Sequence, residues 1–259
     1  MPIIILAIIF CLTAIIIGRG KGLRAVISLA LSVFIIAEIF IPLMIHGTPP
    51  VIAGLSAAVP IVVLIVYITE GFNRRSHLSL LAIALTALLV LPMTWLTMRA
   101  SNLSGLNSEE VYYVANLINP FALAFTGIMI GTIAIVSEVV ITQISTVEQL
   151  FEANSKLSNT QAYSQALAVG EAHLSAVINT LFLIYLSTAL PLVLLVVERT
   201  FVLNTLFNSE PVMSEIIRTL AGAIAVVISI PISTALGIWL IPKNEKEEDA
   251  KNDAQQASR

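Results

Sequence analysis

Apolar residues fall into seven blocks along the chain, at 3–18, 25–45, 51–69, 78–98, 121–141, 172–197 and 216–241. Each is close to the ~20 residues that carry an α-helix across a hydrocarbon core ~30 Å thick. No water reaches backbone amides there, so a spanning segment must close its own hydrogen bonds, and a helix does so. The pattern therefore predicts an all-α integral membrane protein, a helical bundle of about seven transmembrane helices forming one domain over 1–241. The remainder, 242–259, is charged and has no apolar period, which predicts a disordered tail. The first block is short and runs into Gly18 and Gly20, so it reads as extended or tilted.

Composition sharpens this reading. Of the 259 residues, 58% are hydrophobic and 11% are charged, against ~25% charged in an ordinary soluble domain. The positive charges also suggest an orientation. With the N-terminus outside, the cytoplasmic segments hold Arg19, Lys21, Arg24, Arg74, Arg75, Lys156, Lys243, Lys246, Lys251 and Arg259, and the outer ones only Arg99, Arg199 and Arg218. Ten against three is the bias of the positive-inside rule, and it places the C-terminal tail in the cytoplasm. Met1-Pro2 leads straight into the first apolar run, with basic residues after it rather than before, which predicts a retained helix rather than a cleaved leader. No basic stripe points to nucleic acid. The single cysteine, Cys11, sits in an apolar block and reads as a small hydrophobe. In the outer segment 99–120, Asn107 and Glu110 resemble a capping box ahead of Val111, Tyr112, Tyr113 and Leu117, predicting a short interfacial helix. Asn102-Leu103-Ser104 is formally a glycosylation sequon.

Side chains that dislike hydrocarbon carry the chemical information, because an acid at mid-span costs ~2.5–3.5 kcal/mol on insertion scales. In the fifth block and its polar continuation, Glu138, Thr142, Ser145, Gln149 and Glu152 fall within about 40° of one line at helical spacing. The same line passes back through Gly131 and Gly127, a small-x-x-x-small pair that predicts close helix packing. A second polar cluster opens the sixth block: Gly170, Glu171, His173, Ser175, Asn179 and Thr180. The candidate polar site is Glu138, Thr142, Gln143, Ser145, His173 and Asn179. Two interpretations stand side by side: a polar pathway, or packing polars and a helix that has left the membrane. Glu38 stands alone in the second block. Pro231, among Ser229, Ser233 and Thr234, predicts a kink in the seventh, and Pro42, Pro60, Pro92 and Pro191 raise the same expectation. Catalytic and metal motifs are missing: there is no G-x-S-x-G, H-E-x-x-H or P-loop, and His46, His77 and His173 are scattered. The reading is a protein that is not an enzyme and uses no cofactor or metal.

Two stretches are similar to a known family. Ser137-Glu138-Val139-Val140-Ile141-Thr142-Gln143-Ile144-Ser145-Thr146-Val147-Glu148-Gln149-Leu150 resembles a signature of the YibE/F family of bacterial multi-pass membrane proteins, and Gly170 through Leu181, with Asn179-Thr180-Leu181 before Leu190-Pro191, resembles its second. Thr69-Glu70-Gly71-Phe72 fits the turn after the third span, and the likeness covers roughly 20–240. The chain departs where the family carries Gly-Arg-Asp and this sequence has Gly170-Glu171-Ala172. The resemblance implies a bacterial cell-membrane protein of unsettled activity and a homo- or hetero-oligomer with a related YibE/F-like protein. Together these readings give a first expectation, a membrane transport component whose polar site faces the cytoplasm between the fifth and sixth helices. The second is a scaffold or assembly subunit that uses the same polar groups to grip a partner.

Overall fold

A computed structural model describes residues 2–106, 109–154, 156–198 and 209–240. Every regular element in them is helical: α1 (Pro2–Ile35), a π-helical turn (Ile36–Phe40), α2 (Ile41–Ile45), α3 (Pro50–Glu70), α4 (Arg74–Ala100), α5 (Glu109–Val114), α6 (Pro120–Ala153), α7 (Asn159–Glu198) and α8 (Glu210–Leu240). Among the described residues, six helical segments are long and apolar enough to cross a membrane. The chain is an all-α membrane helical bundle.

The first two predicted spans join into one helical run, Ile4–Ile45. Its axis breaks at Arg19, whose φ of 48° and ψ of −128° are not helical. There the chain turns sharply enough that a Cβ on Gly22 would collide with the Ala14 carbonyl. The break falls in the basic stretch between the two predicted spans. The π turn has an equally local cause. Pro42 has no N–H to give the Glu38 carbonyl four residues back, and the Ile41 N–H reaches Ile36 O instead.

Helix ends follow the expected chemistry. Asn73 caps α4 by accepting from Ser76 N at 3.2 Å, and Asn119 caps α6 by accepting from Ala122 N at 3.1 Å. Gly71 ends α3 at φ +79°, a conformation that only glycine adopts cheaply. At the start of α8, Glu210 accepts from Ser104 Oγ at 2.8 Å and from Gly105 N at 2.5 Å, tying down the turn before α5. The prolines at 60, 92 and 231 lie inside α3, α4 and α8 without ending them.

The core lies among α3, α4, α6 and α8, around Val66, Val90, Met98, Ile128, Val136, Val140 and Ala225. Most of its buried polar groups are hydroxyls, among them several that donate to their own helix: Thr86 to Ala82 O, Ser137 to Ile133 O and Ser233 to Ser229 O. A helix can bury such groups because no donor is left unmet. The short helix α5 carries Tyr112 and Tyr113 on the surface. Asn107 and the tail beyond 240 lie outside the described residues.

Candidate functional site

Three helices share one crevice. Contacts between residues 143 and 234, 147 and 237, and 127 and 218 show that α6 and α8 run parallel. Contacts between residues 131 and 185, and between 143 and 166, show α7 running against them. The polar continuation of the fifth block is helical to Ala153, and α7 begins at Asn159, well before the predicted sixth span. That early start has a physical cause. Ala162, Ala166 and Gly170 recur every four residues and are buried, so this small-residue stripe meets α6 and α8 closely. A Cβ on Gly170 would lie 2.6 Å from Ile230 Cγ2 and 3.0 Å from Gln143 Oε1.

Gln143 fastens the three helices. It is buried, and its Nε2 donates to Ala166 O at 2.7 Å and to Thr234 Oγ1 at 2.8 Å. Thr234 in turn donates to Ile230 O at 2.7 Å. Beside this junction lies a groove of about 140 Å³ lined by Glu138, Thr142, Gln143, Gly170 and His173, with Val226 and Ile230 of α8 as apolar wall. Four of the six predicted site residues therefore line one groove. The other two do not: Ser145 accepts from Gln149 Nε2 at 3.3 Å further along α6, and Asn179, nearly two turns beyond His173, donates to Ser175 Oγ at 3.4 Å. Glu138 and His173 share the groove without an ion pair between them among the described residues.

Glu138 also lines a second space. On the far side of α6 a cavity of about 460 Å³ opens against α3, walled by Ile61, Ile65, Thr69, Glu70, Ser137 and Ile141, and it includes Glu138 and Thr142. One carboxylate, exposed on the outer ridge of α6, thus borders two cavities. At the same end of the bundle Arg75 of α4 pairs with Glu148 of α6 at 2.6 Å and approaches Glu70 of α3 at 3.8 Å.

The Gly127–Gly131 stretch packs differently from the expectation of a close helix approach. Gly127 is exposed, and a Cβ there would have only Arg218 Nη2 nearby, at 3.6 Å; at Gly131 it would stand 3.0 Å from Tyr185 Oη. The glycines make room for two polar side chains, and the tight seam belongs to Ala162, Ala166 and Gly170. The Arg218–Tyr185 pairing went unseen in the sequence because it joins residues from separate helices. Glu38 sits exposed in the π turn. Among the described residues no three His, Cys, Asp or Glu side chains gather as a metal site.

The family model described as YibE/F-like protein matches residues 6–243. No curated protein and no solved structure matches the chain.

Proposed function

The chain belongs to the YibE/F-like protein family and is a multi-pass membrane protein, and from that premise we propose that it is a transport component in which Glu138 is the ionisable switch. The observation that carries this is the double position of Glu138, which borders the groove against α7 and the cavity against α3. A carboxylate in that place can exchange a proton or cation between the two spaces. Thr142 borders both spaces, Gln143 braces α6 against α7 and α8, and His173 offers a second protonatable group in the groove. With the orientation expected from the basic residues, this end of the bundle faces the cytoplasm of a bacterial cell.

The test is a proton- or ion-coupled flux in vesicles containing the purified protein. Glu138→Gln, which keeps the shape and removes the charge, is expected to abolish flux while expression and monodispersity stay intact. Flux that survives this substitution removes the role of Glu138.

One observation favours a second reading. Glu138, His173 and Asn179 are all exposed on the outside of the single chain. In a scaffold or assembly subunit these groups would be covered by a second copy or by a related YibE/F-like chain. With Cys11→Ser as background, a cysteine at Asn179 then crosslinks in membranes; in the transport reading with a single working chain it does not.

A further inference from the structure

The three helices that hold the Glu138 groove bring a second set of ionisable groups together towards the other end of the bundle. Arg218 Nη1 lies 3.2 Å from Glu215 Oε1, and its guanidinium carbon stands 5.8 Å from the centre of the Tyr185 ring. Gly127 and Gly131 of α6 form the floor beneath Arg218 and Tyr185. The cluster is incompletely satisfied: Glu215 Oε2 and Arg218 Nε are buried without a hydrogen-bond partner among the described residues. Leaving a buried polar atom unmet is costly. Glu215 and Tyr185 border a cavity of about 270 Å³ whose remaining wall is largely apolar: Phe182, Leu186, Val212 and Leu220.

Between the two polar sets the same three helices close into an apolar layer. Leu181 and Val226 are buried there, with Ile135 and Val177 packed against them, and Leu181 rests on the bare Cα face of Gly222. Gly131 and Glu138 are seven residues apart, so the polar sets are separated by about 10 Å along α6 at 1.5 Å per residue.

We propose that Glu215, Arg218 and Tyr185 form a second proton-binding site, in series with the Glu138 groove and separated from it by a dry layer centred on Leu181. This rests on the reading of Glu138 as an ionisable switch and extends it to a whole path. Among the described residues the ionisable groups beside Glu215 are Arg218 on its own helix and the Tyr185 hydroxyl on α7; α6 brings Gly127 and Gly131 beneath them, and α4 meets the same helix with Val90, Met93, Thr94 and Thr97. A proton arriving on Glu215 loosens its hold on Arg218, and the unmet Oε2 is the oxygen open to receive it. The Leu181 layer is the barrier, since an apolar constriction excludes water and ions by dewetting.

Two measurements test this. In a Cys11→Ser background, single cysteines replace Thr219, Leu181 and Thr142, and vesicles of each orientation are treated with a membrane-impermeant cationic thiol reagent. Thr219→Cys is expected to react from one side only, Thr142→Cys from the opposite side, and Leu181→Cys from neither. Equal reaction of Leu181→Cys, or reaction of the two threonine positions from the same side, overturns the proposal. In the second, vesicles loaded with a pH-sensitive dye are expected to lose a proton gradient about tenfold faster with Leu181→Ala than with the unaltered chain, and Glu215→Gln added to Leu181→Ala is expected to remove the leak. A monodisperse Leu181→Ala protein that does not leak, or a leak that ignores Glu215→Gln, overturns it. Flux that depends on Glu138 but not on Glu215 keeps the function proposed for Glu138 and rejects the second site. Flux that ignores Glu138 while the three cysteines react as expected rejects the switch and keeps the layered crevice.

Discussion

The least buried helical run of this protein is more apolar than its best-buried helix, and the comparison with α6 explains why. In Ile4–Ile45 the best window has a mean hydropathy of 2.5, yet 6% of it is buried; in α6 the corresponding values are 2.0 and 61%. In water the order would be reversed, because apolar surface drives burial. In lipid a leucine or isoleucine gains little by leaving the acyl chains, so what selects the core is close packing and hydrogen bonding. The N-terminal run offers large side chains such as Ile8, Leu12 and Ile16, all exposed. The buried faces of α6, α7 and α8 offer instead Thr132, Ser137, Gln143, Ala162, Ala166, Ser229, Ser233 and Thr234.

This contrast can be broken or sharpened by substitution, with thermal midpoint in detergent as the readout. The largest effect is expected from Gly170→Leu, whose side chain must enter the space of Ile230 and Gln143. Overpacking of about 1–3 kcal/mol adds to the disturbed Gln143 bonds, and the monodisperse peak on size exclusion should shrink sharply. Next comes Gln143→Ala, which removes the side-chain donor shared by the Ala166 carbonyl and Thr234 Oγ1 and should cost about 1–3 kcal/mol. Arg75→Ala removes a half-exposed pair with Glu148, expected at about 1 kcal/mol or less and diminishing with added salt. The smallest is Ile16→Ala in α1. Its side chain is in lipid whether or not the bundle is assembled, so the midpoint should move by less than about 0.5 kcal/mol equivalent. A drop at Ile16 as large as that at Gly170 would mean that α1 is held by packing this structure does not contain.

Much of the fold was legible because a lipid core asks a simple question of a sequence. Apolar length placed the helices, and the basic stretch around Arg19 marked where the first two spans part. The helical line through Glu138 and Thr142 was legible from spacing, and Gln143 and His173 were named from their type and setting; the structure puts all four on one groove. Reading stopped where two helices had to be paired. Gly127 and Gly131 looked like a seam because glycine spacing alone cannot tell a helix backbone from a tyrosine ring as the neighbour. Ala162 and Ala166 were passed over, and Gly170 was read only as the start of a polar cluster, because they lie in a segment too polar to be read as membrane helix. Ser145 and Asn179 are polar residues of the right helices, but rotation or height takes them off the groove.

From the sequence alone came the solvent, the helices and the family, since each depends on local composition or on residues adjacent in the chain. The tertiary structure decided the rest: that α6 and α8 run parallel with α7 reversed between their ends, that Gln143 ties all three, and that Glu138 borders two spaces. Those facts depend on which side chains fit at a distance of a few ångströms across helices far apart in the chain, and in a hydrocarbon solvent hydrophobicity gives no direction for that choice.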